Sequence, residues 1–238
     1  MKKAVFIFGI FVASACALMS GTATTTRYWD CSGGSCGCGF GNPQKPCHCH
    51  ANSMFAAPQG NPYGARFYGT AAISNVLGGA DWLGPGCGKC FKLQAQGSTI
   101  VVKGTNYCPP PNDVCNGRAH FDIDAPGYDF PGASISNTCS EVDGGEWALR
   151  PPQICSNWPN QGCDCNQFHD QTLKDGCNNF KSLGWNNPSV YYEELSSCPW
   201  ELQQHPPCWY DNGQNWPSQS PAKCSSPWAA PTPEEEQE

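Results

Sequence analysis

A mainly β fold, rich in loops and stapled by disulfides, is what this sequence predicts, and three observations predict it. The chain carries 18 cysteines in 238 residues, a density that in an oxidising compartment reads as a framework of bridges. Gly (26) and Pro (22) are abundant while only 39% of residues are hydrophobic, so turns and loops make up much of the structure. Its apolar runs are short, bounded by turn residues, and in the clearest case alternate with a period of two.

The N-terminus is read separately. Lys2 and Lys3 precede an apolar run over 4–18 that leads into the small residues Ser20, Gly21 and Ala23, the pattern of a secretory signal peptide. That run is short of the roughly 20 residues a helix needs to cross a bilayer, and no later stretch approaches that length. The expected leader is 1–23, and the mature protein is expected to be secreted and extracellular, start near Thr24 and span no membrane. Removing Cys16 with the leader leaves 17 cysteines, enough for up to eight bridges with one thiol over. Each bridge contributes roughly 2–4 kcal/mol by restricting the unfolded chain, which offsets a modest apolar core.

Along the mature chain, 24–85 is dense in Gly, Pro, Cys, Asn and Ser and reads as short strands and turns, with 27–30 as one short strand. Runs 90–94 and 99–103, separated by the turn residues Gly97 and Ser98, read as a hairpin. In 120–124 polar and apolar residues alternate, so Phe121 and Ile123 face a core while His120, Asp122 and Asp124 share the opposite face. Leu173, Cys177, Phe180 and Leu183 recur at helical spacing, which predicts a helix over 169–183 ending at Gly184 and weakened by Gly176. Residues 190–195 read as a last strand. The division that follows is one catalytic domain over 24–199 and a Pro/Trp-containing extension over 200–238, disordered and acidic beyond Cys224.

Charge and motifs exclude several classes. The formal net charge is -7; it becomes -9 without the two leader lysines, and four of those charges sit in the terminal Glu234, Glu235, Glu236 and Glu238. Such a surface excludes nucleic acid, which needs a basic footprint, and suits a neutral polysaccharide. Cys47-His48-Cys49-His50 has the residue types of a zinc site, but in a secreted, cysteine-rich chain disulfides explain it better. Neither a metal nor any other cofactor is expected, and there is no Ser-His-Asp or Cys-His arrangement.

Hydrolysis of a glycosidic bond requires one carboxylic acid to protonate the leaving oxygen and a second carboxylate across the sugar. Asp122 is a candidate because a strand with a packed apolar face fixes its direction; read by spacing alone, it is equally a solvated residue on an exposed sheet face. Asp30 lies in Thr26-Arg27-Tyr28-Trp29-Asp30-Cys31, between a large aromatic and a cysteine, where it could also cap a turn.

That motif, just after a leader and together with His120-Phe121-Asp122-Ile123, resembles glycoside hydrolase family 45, the small secreted endoglucanases. Gly86-Cys87-Gly88-Lys89-Cys90-Phe91-Lys92-Leu93, Asn106-Tyr107-Cys108-Pro109, Asn112-Asp113-Val114-Cys115 and Trp185-Asn186-Asn187-Pro188 follow in the family's order. The resemblance covers roughly 24–199. It implies a six-stranded double-psi β-barrel with long disulfide-linked loops, an open groove and a monomer acting on a β-1,4-glucan with inversion. It further implies Asp30 as general base, Asp122 as general acid, Asp113 or Asn112 as an assisting residue on the loop before the acid strand, and Thr26, Tyr28, His120 and Asn112 as substrate-binding residues. Trp29 is expected in the core. Expansins and barwin-like proteins share the barrel and the His-Phe-Asp strand, so a non-catalytic polysaccharide-binding protein is the rival reading; expansins lack the aspartate that corresponds to Asp30.

Overall fold

The computed structural model describes residues 18–29, 34–36, 55–81, 83–109, 114–128, 155, 163–168 and 171–204. Six strands are present: β1 (Ser20–Tyr28), β2 (Phe67–Ile73), β3 (Cys90–Ala95), β4 (Ser98–Tyr107), β5 (His120–Asp124) and β6 (Val190–Glu194). They close into a barrel in the order β1-β5-β2-β4-β3-β6, the six-stranded barrel that the resemblance implies. β1 with β5 and β2 with β4 are parallel pairs, and the other four pairings are antiparallel.

The predicted hairpin is β3–β4, paired from Cys90↔Lys103 to Ala95↔Ser98. Its turn puts Gln96 and Gly97 at φ 49° and 72°, the left-handed pair that lets a two-residue loop follow the sheet twist. β2 is buried at every residue because β4 and β5 flank it and both of its faces are covered. The barrel interior is filled by aromatic side chains: Phe91 meets Phe121 at 5.2 Å between ring centroids and Phe121 meets Tyr192 at 5.7 Å, edge to face.

The predicted helix is α1 (Gln171–Leu183). It buries Leu173, Gly176, Cys177, Phe180 and Leu183, and Phe180 packs edge-on against Tyr128 at 4.7 Å and Phe55 at 5.3 Å. Gly176 has a packing reason, since a Cβ there would lie 2.9 Å from Pro126 Cγ. Trp29 is buried against Phe168, as expected. Five bridges join described cysteines: Cys36–Cys87, Cys90–Cys198, Cys108–Cys115, Cys155–Cys163 and Cys165–Cys177.

Two elements lie across the expected boundaries. A second helix, α2 (Trp200–Gln204), follows residue 199, and its Leu202 is fully buried with Ala65, Tyr68, Cys90 and Val101. The packed unit therefore continues into the segment read as an extension. At the other end β1 begins at Ser20, not near 27, and its residues Ser20–Ala23 pair with β6 while Met19 donates its N–H to Glu194. A mature chain beginning at Thr24 would lose this ladder. Ala15-Cys16-Ala17 supplies the small-x-small cleavage pattern just ahead of the strand. Where a leader is removed, the processed chain is accordingly expected to begin at Leu18 when its N-terminus is read by mass spectrometry. A chain trimmed to Thr24 is expected to melt roughly 5–10 °C lower, from lost backbone pairing.

Candidate functional site

The site is built by the register of the parallel pair β1–β5, which sets Thr24 beside His120, Thr26 beside Asp122 and Tyr28 beside Asp124. Side chains at the same register of neighbouring strands share a face, so these six project from the outer wall of the barrel. Phe121 and Ile123 project inward and are buried in the core, as the alternation predicts. Asp122 is the one residue of β5 that is partly exposed. It is the point where the strand meets solvent.

A hydrogen-bonded chain runs along this wall. Thr26 Oγ1 donates to Asp122 Oδ1 at 2.6 Å, and the same oxygen lies 2.8 Å from His120 Nε2. His120 Nδ1 lies 2.8 Å from Thr24 Oγ1. Thr26 has one hydroxyl proton, and donating it to Asp122 leaves its oxygen to accept from His120 Nε2–H; Nδ1 then accepts from the Thr24 hydroxyl. The directions assign the tautomer of a neutral imidazole. His120 is fully buried, and burial, aided by the positive charge of Arg118, pushes its pKa down to about 4. It therefore carries no charge beside Asp122 in the mildly acidic to neutral range. The backbone N–H of His120 donates to Ser74 Oγ at 3.1 Å, and the Ser74 N–H returns a bond to His120 O at 3.1 Å, which locks the strand.

Desolvation pushes the pKa of Asp122 up to about 6, against the opposing pull of the Thr26 hydroxyl. A carboxyl poised there can hold a proton and release it near neutrality, the requirement for a general acid. His120 is expected from the resemblance to bind substrate; in the structure both its ring nitrogens are engaged by threonines, it is buried, and it is linked to Asp122 through Thr26. Tyr28 is only 7% exposed, so its phenol rather than its ring face is what it can offer a ligand.

Asn106 is a site residue that the sequence reading did not single out. β2 sets Ala72 between Asp122 and Asn106, so the amide shares the wall with the acid. Asn106 Nδ2 donates to Tyr28 OH at 3.3 Å, and its Oδ1 accepts from the N–H groups of Ser35 and Tyr107, both at 2.9 Å. Gly34, at φ 59°, lets the adjoining turn close on β4, because a Cβ there would lie 2.6 Å from Thr105 O. Asp30, Asn112 and Asp113 lie outside the described residues, as do Cys47-His48-Cys49-His50. Ligand atoms of Cys108, Cys115 and His120 lie within 4.8 Å of one another, but the thiols are joined to each other and both imidazole nitrogens are committed to threonines. That cluster does not fit a metal ion.

No family model matches the chain. In sequence it is 36% identical over 124 residues to Endoglucanase-5 of Hypocrea jecorina, an alignment that spans 45% of each protein. It is 29% identical over 238 residues to an endoglucanase of Cryptopygus antarcticus, covering 87% of this chain and 97% of the relative. A shorter match, 42% over 67 residues, is to Expansin-A26 of Oryza sativa subsp. japonica and covers 28% and 21%. In structure it is similar to the cellulase of the Antarctic springtail Cryptopygus antarcticus, with a TM-score of 0.50 at 24% identity over 79% of this chain and 96% of the other; this is a likeness of fold. The fold and these relatives support a likeness to cellulase-type glycoside hydrolases. Within that class the chain is similar to endoglucanases, the group its motifs resemble.

Two titrations check the electrostatics. Carboxyl NMR is expected to place Asp122 near pH 6, and Thr26→Val, which removes the opposing hydrogen bond, is expected to raise it by roughly one further unit. Stability is expected to follow opposing linkages. The pKa of His120 is lower folded than the ordinary 6.5, so the unfolded chain binds its proton first and stability is lost as pH falls from 6.5 to about 4. Asp122 is raised from 3.8 to about 6, so its linkage removes stability as pH rises through that window. The two largely cancel in the wild type. In Asp122→Asn the histidine linkage is no longer offset by the acid, and the melting temperature is expected to fall on acidification from pH 6.5 to 4, by the equivalent of on the order of 2–3 kcal/mol.

Proposed function

We propose that the chain is a secreted endo-β-1,4-glucanase that cleaves internal bonds of cellulose or a related β-glucan with inversion at the anomeric carbon. The single observation that carries the reading is Asp122, the partly exposed carboxyl on an otherwise buried strand, bonded by Thr26 and raised to about 6. In this reading Asp122 is the general acid. It enters the reaction protonated and delivers its proton to the departing glycosidic oxygen, while Thr26 and neutral His120 hold its carboxyl in one orientation.

Asp30 is the general base in this reading. It follows Trp29, whose buried ring anchors the end of β1, and it draws a proton from the attacking water on the opposite side of the sugar. Inversion requires the two carboxyls to stand roughly 6.5–9.5 Å apart, leaving room for that water. Asp113 or Asn112 assists from the loop before β5. Thr26 and the Tyr28 phenol, with Asn106 beside it, supply hydroxyl and amide groups for sugar hydroxyls. The endoglucanase relatives support the activity, and the bridges support an extracellular site of action, because disulfides persist in oxidising compartments. Among the described residues no helix is long and apolar enough to cross a membrane. The protein acts as a monomer with no metal or cofactor in its chemistry.

The rival reading, an expansin-like protein that binds polysaccharide without cleaving it, rests on the shorter match to Expansin-A26. Loss of viscosity in soluble carboxymethyl cellulose separates the two. Wild type is expected to thin the solution; Asp122→Asn and Asp30→Asn, folded by circular dichroism, are expected to lose about 10²–10⁴ in rate. A wild type without activity from acidic to neutral pH points to the rival. Above about pH 6, kcat/KM is expected to fall tenfold per pH unit as Asp122 loses its proton, and Thr26→Val is expected to move that limb upward. Proton NMR of the first product should show the α-anomer; the β-anomer would overturn inversion.

A further inference from the structure

The barrel has a second wall that this chemistry does not use. Six strands in the order β1-β5-β2-β4-β3-β6 place β3 three positions round the ring from β5, so the outer face of β3 and β6 looks away from Asp122. On that face the register pairs Gln94 with Tyr191 and Lys92 with Glu193, and Thr22 of β1 lies beside Tyr191 on its other side. Tyr191 is 45% exposed. At the other end of β3, about 13 Å along the strand, the Cys90–Cys198 bridge ties down the approach to α2. Leu202 of α2 faces the barrel and is buried, while Trp200, two residues earlier and so nearly opposite on the helix, is 67% exposed.

The lysines between these aromatics are paired, and the one further carboxylate is held by backbone hydrogen bonds. Lys92 is paired with Glu193 at 3.1 Å, Lys89 with Glu194 at 2.8 Å, and Glu201 accepts the N–H groups of Gln59 and Gly60, both at 3.1 Å. What is left for a partner is two open aromatic rings, with the hydroxyl and amide groups of Thr22, Gln94 and Thr99 beside Tyr191. That combination suits a neutral polymer whose units have apolar faces and a rim of hydroxyls, and it does not suit a charged partner.

Resting on the endoglucanase reading, we propose that the β3–β6 wall is a second glucan-binding surface, in which Tyr191 and Trp200 hold the polymer while the opposite wall cleaves it. The test pairs adsorption to insoluble cellulose with turnover of soluble carboxymethyl cellulose. Tyr191→Ala with Trp200→Ala is expected to weaken adsorption roughly tenfold and to leave soluble turnover and the melting transition unchanged. Tyr191→Phe with Trp200→Phe is expected to keep most of the adsorption, and Asp122→Asn to keep all of it. Adsorption of the double alanine variant equal to that of wild type overturns the proposal. So does a loss accompanied by a change from dimer to monomer in sedimentation, which would make the patch an interface between copies. If wild type adsorbs through these rings yet cleaves nothing, the second surface stands and the enzymatic reading fails.

Discussion

The register between β1 and β5 is the constraint on which the site depends. Side chains alternate with a period of two, so sliding β1 by one residue would replace Thr24, Thr26 and Tyr28 on the outer wall by Thr25 and Arg27. Asp122 would then face a guanidinium instead of a hydroxyl, and a neighbouring cation would depress its pKa instead of leaving it raised. The register is held from several directions. Ala125 N–H bonds Tyr28 O at 2.8 Å at one end, Thr24 N–H bonds Ala119 O at 3.2 Å at the other, and β6 grips the first half of β1.

Magnitudes explain why Asp122 settles where it does. Full burial raises a carboxyl by as much as about 3–5 units, while a hydrogen bond to the charged form contributes roughly 1.5–3 kcal/mol, or one to two units the other way. A largely buried carboxyl with one such bond lands between these limits, and about 6 is a balanced outcome. His120 belongs to this balance by being neutral. A charged imidazole at the far side of Thr26 would add an attractive term and pull the acid down. Burial of the ring against two threonines, neither of which carries charge, removes that term.

The legible parts of the sequence were those whose pattern is local. The alternation in 120–124 correctly put Phe121 and Ile123 inside and Asp122 out, and the spacing of Leu173, Cys177, Phe180 and Leu183 located α1 to within two residues at its start. β2 escaped notice because a strand buried on both faces does not alternate. Four of the nine residues of β1 are Thr, with no apolar stripe, and its first residues resembled the end of a leader. Thr24 and Asn106 are meaningful only once β1 is laid parallel to β5 and β4 beside β2, pairings of high sequence separation that no window can see. The helix α2 is a single turn or so, held by Leu202 and the Cys90–Cys198 bridge and not by any propensity of its own.

The location of the site explains the cysteines. A six-stranded barrel has little interior space, and here Phe91, Phe121 and Tyr192 occupy it. Chemistry must therefore stand on the outer face of the wall, where the strands position the acid but the surroundings have to be built from loops. Loops bury little apolar surface and lose backbone entropy of roughly 1–2 kcal/mol per ordered residue, so they do not stay against a wall unaided. Cys36–Cys87 fastens the turn at Gly34 over Thr105 and Asn106, and Cys108–Cys115 closes the loop after β4 beside Tyr28 and Ala72. Cys108–Cys115 lies beside His120 on the wall that carries the acid. These two bridges hold loops against the wall on which Asp122 stands, and the loss of Cys108–Cys115 would loosen the surroundings of the carboxyl before it disturbed the strand that carries it.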